Sequence, residues 1–178
     1  MKKIYTLIFG AALLCVALPS LAQKDGKLVS VGFGIETGLP VAKAADVFNF
    51  NLGFTGRVSV HAGPGYATIS SGGIIMIPKK LEQSNSIKAG VQIPIKGGYK
   101  YIFLERFFVM GELGYSIFKS YYDTGDDSHI VSTSSGGFTY SPSIGFNLGV
   151  SELALKYESI ALDGGHINYL GFRAAFNF

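Results

Sequence analysis

Hydrophobic and polar residues alternate along most of the chain after residue 27. The first run places Val29, Val31, Phe33 and Ile35 on one face and small or polar residues between them. Successive side chains of a β-strand point to opposite faces, so a period of two predicts strands with one apolar and one polar face. Seven more runs follow this rule, giving eight predicted strands near residues 29–36, 50–61, 66–77, 86–101, 107–117, 138–148, 153–158 and 169–178.

The connections between these runs alternate in length. Short turns are predicted near 62–65, 103–106 and 149–152, and longer polar loops near 37–48, 78–85, 121–135 and 161–166. Most runs are close to the roughly 9–11 residues with which a tilted strand crosses a bilayer. Short turns on one rim and long loops on the other predict an all-β fold, an eight-stranded antiparallel up-and-down transmembrane β-barrel with both termini on the periplasmic side.

Alternation alone does not distinguish a membrane barrel from a soluble barrel with an apolar interior. The bulky apolar face favours lipid, because an eight-stranded lumen is narrow and the opposite face holds Gly, Ser, Asn and charged residues. Aromatic residues also collect at the strand ends, as in the girdles of membrane barrels. We predict one girdle at the turn rim (Tyr99, Tyr101, Phe107, Phe176, Phe178) and one at the loop rim (Phe50, Tyr115, Phe138, Tyr140, Tyr157).

Two features interrupt the pattern. The third run is weak, and its Ser70–Gly73 stretch predicts a β-bulge or a change of which face is apolar. Pro94 and Pro142 lie inside predicted strands, where each removes a backbone donor from the ladder. We therefore expect these prolines at bulges or at local edges of the sheet.

The N-terminus has the pattern of an export signal. Lys2 and Lys3 precede an apolar stretch from Ile4 to Leu18, and Ser20-Leu21-Ala22 provides small residues for cleavage, which predicts a signal peptide at 1–22 and a mature barrel at 23–178. A membrane anchor is the alternative, but the stretch is shorter than the roughly 20 residues of a spanning helix. A lipid attached to Cys15 is disfavoured because Leu14 precedes it where a small residue is needed.

Composition excludes several classes of function. Cys15 is the only cysteine, so the predicted mature chain has no disulfide and no cysteine ligand or nucleophile. Removing Lys2 and Lys3 leaves 13 basic residues against 12 acidic ones, a net charge of about +1, which gives no indication of a nucleic-acid partner. The glycines have no phosphate-binding context, so no cofactor is expected.

Candidate catalytic and metal-binding residues are few. His61 lies at a predicted periplasmic strand end, while His129 and His166 lie in loops. His166 is placed to approach Glu158 across the last hairpin, yet no serine accompanies it at a suitable spacing for a triad. Asp123, Asp126, Asp127 and His129 do not have the spacing of a calcium loop, so we expect a hydrated acidic loop and no metal site.

Charged residues on the polar faces of the strands are the most informative group. They predict a charge network in the lumen, formed by Arg57, Lys96, Glu112, Lys156, Glu158 and Arg173. Buried charges persist when they are paired, so we expect a structural plug with Glu112 as its acidic hub, accepting from Arg57, Lys156 or Arg173, and Glu158 as a second acceptor. A proton or small-ion path is the alternative.

The C-terminal stretch Tyr169-Leu-Gly-Phe-Arg-Ala-Ala-Phe-Asn-Phe178 resembles the last strand of outer-membrane barrels. With Gly111-Glu-Leu-Gly-Tyr115 and Leu155-Lys-Tyr-Glu158, the chain resembles the small outer-membrane β-barrel family common in Bacteroidetes, related in architecture to OmpX and the OmpA barrel. The resemblance implies location in the outer membrane. It also implies that Phe172, Phe176 and Phe178 form the signal read by the barrel-assembly machinery.

These observations favour a non-enzymatic outer-membrane protein with a plugged polar lumen. We expect it to act in membrane integrity or in surface interaction through its loops, as a monomer in contact with outer-membrane lipids. A lipid-modifying enzyme and a narrow ion or proton channel are the alternatives.

Replacing Phe178 with aspartate is expected to impair insertion, because a charge then replaces the aromatic that ends the lipid-facing side of the last strand. The amount of heat-modifiable, folded protein in the outer membrane measures the effect, and Asn85→Asp, in the predicted loop 78–85, is the matched control. Equal levels of folded Phe178→Asp and wild-type protein would contradict the assembly signal.

Overall fold

The strands of this protein run consecutively around one barrel. The computed structural model describes residues 28–79, 87–123, 130–162 and 165–178, so the predicted signal peptide lies outside the described residues and stays a prediction. The elements are β1 (Val29–Val41), α1 (Ala44–Val47), β2 (Phe48–Ala62), β3 (Gly65–Pro78), β4 (Ile87–Phe103), β5 (Phe107–Asp123), β6 (Ile130–Leu148), β7 (Ser151–Leu162) and β8 (Gly165–Asn177). No helix among the described residues is long and apolar enough to cross a membrane.

Each strand pairs antiparallel with its neighbours, and β8 pairs with β1 to close the sheet. The closing ladder runs from Gly32 opposite Asn177 to Val41 opposite Asn168. Closure gives both edges of every strand a partner within the barrel wall, which is the condition for a sheet in lipid. The predicted eight-stranded antiparallel barrel is confirmed.

The strands are longer than the sequence pattern predicts, at 12 to 19 residues. Much of the predicted loops 37–48, 121–135 and 161–166 is strand, since β1 reaches Val41, β5 reaches Asp123, and β6 begins at Ile130. The predicted turn at 149–152 contains the first two residues of β7, and most of loop 78–85 lies outside the described residues. The predicted strands are shorter than the observed ones because the apolar–polar alternation fades where the outer face leaves lipid. Backbone pairing nevertheless continues beyond that point.

The outer face is apolar over the height of a membrane. Side chains such as Ile35, Phe54, Leu113 and Leu155 are 56–62% exposed, an arrangement suited to lipid. The aromatics of the predicted turn-rim girdle are all exposed, as are Tyr115, Phe138 and Tyr140 of the loop-rim girdle, while Phe50 and Tyr157 are half-buried. From Phe107 to Tyr115, β5 spans nine residues, about one membrane crossing, and it continues for eight more.

The predicted β-bulge or change of apolar face at Ser70–Gly73 is wrong. The β2–β3 register is continuous from Phe50 opposite Ile77 to Ala62 opposite Gly65, and the register shifts lie instead at Phe48/Phe50 and Ile87/Ala89. The pattern is weak because Ile74 and Met76 fill the lumen, so both faces of β3 are apolar there.

Both prolines lie at local gaps in a ladder, without a bulge. Pro94 pairs with Ser116 on β5, but the β3–β4 ladder is interrupted opposite it. Pro142 likewise pairs with Gly111 on β5, while the β6–β7 ladder is interrupted between Tyr140 and Ser143. Each proline therefore occupies a local edge of the sheet, which is one of the two positions that the sequence pattern predicts.

Inward-facing glycines make room for large rings inside the narrow barrel. A Cβ on Gly145 would collide with the Phe108 ring, and one on Gly90 would lie 2.7 Å from Phe118 Cζ. These rings therefore lie over the backbone of the neighbouring strand. The interior is consequently less polar than the sequence pattern predicts.

Gly145→Val is expected to destabilise the barrel by about 1–3 kcal/mol, because the added side chain overlaps the buried Phe108 ring. Gly111→Val is the matched control, since a Cβ there meets nothing within 4 Å. Urea unfolding in lipid vesicles measures both variants, and equal stability of the two would contradict the packing described.

Candidate functional site: the charged interior

Nine charged side chains project into the lumen from the described strands. The basic residues are Arg57, Lys96, Lys100, Lys156 and Arg173, and the acidic residues are Glu36, Glu112, Glu152 and Glu158. Each is no more than 7% exposed. All six residues that the sequence predicts for the lumen network lie here.

Glu158 is the centre of the loop-side half of the network. Its carboxylate accepts hydrogen bonds from Lys96 Nζ at 2.8 Å, Lys156 Nζ at 3.0 Å and Gln92 Nε2 at 2.6 Å. Lys156 also donates to Glu36, and the Tyr169 hydroxyl donates to Gln92 Oε1 at 3.3 Å. A fully buried carboxylate is thereby neutralised by two ammonium groups, which offsets the cost of its desolvation.

Glu152 is the centre of the turn-side half. Arg57 Nη1 and Arg173 Nη1 both donate to its Oε1, at 2.7 and 2.8 Å, and Lys100 Nζ donates to Oε2 at 2.6 Å. Lys100 also donates to Asn147 Oδ1 at 2.9 Å. One carboxylate thus faces three cations.

Glu36 and Glu112 connect the two halves. The Glu36 carboxylate lies 3.4 Å from Arg173 Nε, and it accepts hydrogen bonds from the Lys156 ammonium group and the Thr55 hydroxyl. Glu112 accepts its hydrogen bond from the Ser70 hydroxyl at 2.7 Å. Its basic neighbours are more distant: Lys96 Nζ at 3.4 Å and Arg57 Nε at 3.8 Å. Glu112 is therefore a bridging member of the network, and the expectation that it is the hub is wrong.

Three members of the network were not among the predicted site residues. Glu152 falls in a segment that the sequence pattern assigns to a turn, and Glu36 is the last residue before a predicted loop. Lys100 follows the correct parity on β4 but has no acidic neighbour along the chain. Correct strand ends would have placed Glu152 on the inner face, whereas Glu36 and Lys100 already lie on the polar faces of predicted strands.

Two apolar clusters share the lumen with the charges. On the loop side, Phe48, Met76, Phe118, Ile160 and Tyr169 are buried together, with Val47 of α1 packed against them. On the turn side, Phe108, Met110 and Ala154 form a second cluster, and Lys100 Nζ lies 4.1 Å from the centre of the Phe108 ring. The charged network therefore packs against an apolar cluster at each end, and Lys100 remains at the turn-side mouth of the lumen.

The described histidines lie at the ends of their strands, away from this network. His61 is exposed at the end of β2, where its ring packs edge-on against Tyr66. His166 is exposed opposite Ala161, whereas Glu158 is buried opposite Tyr169, so the expected approach of His166 to Glu158 does not occur. His129 and the side chains of Asp123, Asp126 and Asp127 lie outside the described residues. Within the described part, no group of three His, Cys, Asp or Glu side chains is placed to hold a metal ion.

Comparison with known proteins identifies the fold and not the family. No protein-family model matches the sequence, and no curated protein matches it in a sequence search. The predicted membership of a Bacteroidetes family therefore stays a prediction.

Among solved structures, the chain is similar to small outer-membrane barrels. Ail, the attachment invasion locus protein of Yersinia pestis, is 16% identical with a TM-score of 0.61, over 84% of this chain and 97% of that one. The N-terminal barrel of Pseudomonas aeruginosa OprF is 9% identical with a TM-score of 0.61, again over 84% and 97%. Neisserial surface protein A is 11% identical with a TM-score of 0.57, over 84% and 97%. At these identities the likeness shows the eight-stranded barrel fold alone.

Glu158→Gln is expected to destabilise the barrel more than Glu112→Gln, because only Glu158 accepts hydrogen bonds from two ammonium groups. Leaving buried charges without a partner costs about 3–5 kcal/mol. Urea unfolding in lipid vesicles measures the difference. Asp46→Asn, at an exposed carboxylate on α1, provides the matched control and is expected to change stability little. A Glu158→Gln barrel as stable as Asp46→Asn would refute a structural role for the network.

Proposed function

We propose that this protein is a non-enzymatic outer-membrane barrel with a closed lumen, which binds a partner at the cell surface through the protruding edge of β6. The observation that carries the proposal is the pairing of β6. Its ladder with β5 extends from Phe146 to Ile130, but its ladder with β7 begins only at Thr139. In the described structure, seven residues of β6, Ile130–Gly136, pair on one side alone, since the β7 backbone at Ala161 lies directly beside Gly137.

This segment has the properties of a strand that accepts another strand. It carries no charged residue and no proline, the features with which proteins commonly block an exposed edge. The free side of the backbone offers donors and acceptors to an extended peptide, a known mode of recognition. The segment begins beyond the aromatic girdle at Tyr115 and Phe138, where closure of the sheet in lipid is no longer needed.

The interior supports a role outside the lumen. Ion pairs and two apolar clusters fill the barrel along its length, which argues against a solute channel. The described histidines are exposed at opposite rims, which argues against a serine–histidine–acid site for lipid modification.

The outer surface supports location in a membrane. Its apolar belt and aromatic girdles fit the outer-membrane location predicted from the C-terminal strand. Among the structural neighbours, Neisserial surface protein A is named for the cell surface and Ail for attachment and invasion. In this orientation the loop rim, and with it the β6 edge, faces the outside of the cell.

A seven-residue peptide of alternating Thr and Val is expected to bind the wild-type barrel and to slow amide hydrogen exchange in Ile130–Gly136. The peptide matches the length of the free edge and supplies the missing ladder partner. NMR of the barrel in lipid nanodiscs measures both the exchange and the affinity. Ser134→Lys is expected to weaken binding at least tenfold, because lysine on an edge strand disfavours further pairing.

Asn49→Lys is the matched control, since it adds the same charge at an exposed loop-rim position away from the β6 edge. Protection that appears elsewhere in the barrel, or equal binding by wild type and Ser134→Lys, would rule out the β6 edge as the recognition surface.

A further inference from the structure

The turn-side mouth of the barrel contains a cavity separate from the β6 edge. It has a volume of about 400 Å³, and its apolar wall includes Val150 and Ile102, which packs against the cluster of Phe108 and Met110. Its polar lining consists of three hydroxyl groups, two carboxamides and one ammonium group, contributed by Ser30, Ser59, Tyr66, Asn147, Asn177 and Lys100. We name this cavity the vestibule.

One ammonium group lies in the inner wall of the vestibule. Lys100 lines it directly and is 7% exposed. Behind Lys100 lies Glu152, the one carboxylate in the described lumen that Lys100, Arg57 and Arg173 all contact. Asn177 Nδ2 lies 3.5 Å from the same carboxylate. Across the described lumen, five cations face four carboxylates, which leaves one positive charge in excess.

Two buried guanidinium donors in the group around Glu152 have no hydrogen-bond partner. They are Arg57 Nε and Arg173 Nη2, and each guanidinium also faces a second carboxylate, Glu112 for Arg57 and Glu36 for Arg173. Buried donors of charged groups are rarely left unpaired, so the excess positive charge of the described lumen favours an anion at the vestibule, where Lys100 forms part of the lining. A cleft lined by one sign of charge attracts ligands of the opposite sign.

We propose that the vestibule binds a small hydroxylated anion, a sugar acid or a sugar phosphate, with its anionic group directed towards Lys100. Hydroxyl and carboxamide groups both donate and accept hydrogen bonds, so they suit a ligand with several hydroxyl groups. The cavity is larger than an inorganic ion requires and falls within the range of small-molecule sites. In the orientation proposed above, this ligand enters from the periplasm.

The test is a titration of the barrel in lipid nanodiscs with glucuronate, glucose 6-phosphate and neutral glucose at constant ionic strength. NMR shifts of the side-chain amides of Asn147 and Asn177 report occupancy of the vestibule. We expect at least one of the two anionic sugars to shift both amides and to bind at least tenfold more tightly than glucose. Preference between the carboxylate and the phosphate identifies which anionic group the site takes.

Two variants separate binding from folding. Ser30→Leu fills the vestibule without removing an ion pair and is expected to weaken binding of the anionic sugar at least tenfold. Lys100→Gln removes the ammonium group and is expected to do the same, although it also alters the Glu152 group. Lys119→Gln removes an exposed lysine on the outer face of β5 and is expected to bind like wild type.

Three results would overturn the proposal. One is glucose binding as tightly as both anionic sugars, and another is unchanged affinity in folded Ser30→Leu. The third is the absence of amide shifts at Asn147 and Asn177 with either anionic sugar at millimolar concentration.

Discussion

A β-strand in lipid must have a backbone partner on both sides, and the rest of this structure depends on that requirement. Each unpaired N–H or C=O in hydrocarbon costs several kcal/mol, so the sheet has to close on itself. Here β8 meets β1 over ten residue pairs to complete the ring. The two ladder gaps at Pro94 and Pro142 interrupt this closure for only two positions each and leave the register of the strands unchanged.

Closure with eight strands leaves an interior that side chains must fill. Small residues on one strand make space for large ones on the next, as Gly145 does for Phe108 and Gly90 for Phe118. The remaining volume is occupied by charges, which are stable there only because each carboxylate lies within 4 Å of at least two cations. Since the nine charged residues come from six of the eight strands, the network also connects strands that share no backbone ladder.

The sequence predicts the membrane-embedded part of this barrel well and the rest poorly. Within lipid, each strand must present apolar residues outward, so the alternation around Phe33, Leu113 or Phe172 identifies both strand and face. Outside lipid this constraint disappears, and Tyr121–Asp123 is predicted as part of a loop although its backbone continues to pair. For the same reason Glu152, close to a turn, is assigned to the wrong element, and the turn-side centre of the network is missed.

Side-chain contacts inside the lumen follow from geometry that the sequence does not contain. The parity of β5 correctly places Glu112 inward, but its partners depend on how far each neighbouring strand is displaced along the barrel axis. That displacement brings Lys96 and Lys156 to Glu158, and Arg57 and Arg173 to Glu152, leaving Glu112 with a serine hydroxyl as its hydrogen-bond donor. Sequence periodicity can therefore identify which charges enter the lumen, but not which of them is the hub.

The two rims differ because the requirement for closure ends at different points along the strands. On the turn side the strands end close to the girdle of Tyr99 and Phe107, so the lumen opens directly into the vestibule beneath the last ion pairs. On the loop side β5 and β6 continue beyond the girdle, and β7 does not follow them, which leaves one edge of β6 without a partner in the described structure. Water can satisfy the backbone groups of that edge when no strand is bound, whereas lipid cannot. An open edge of this kind is therefore tolerated only outside the membrane, where a binding partner is able to reach it.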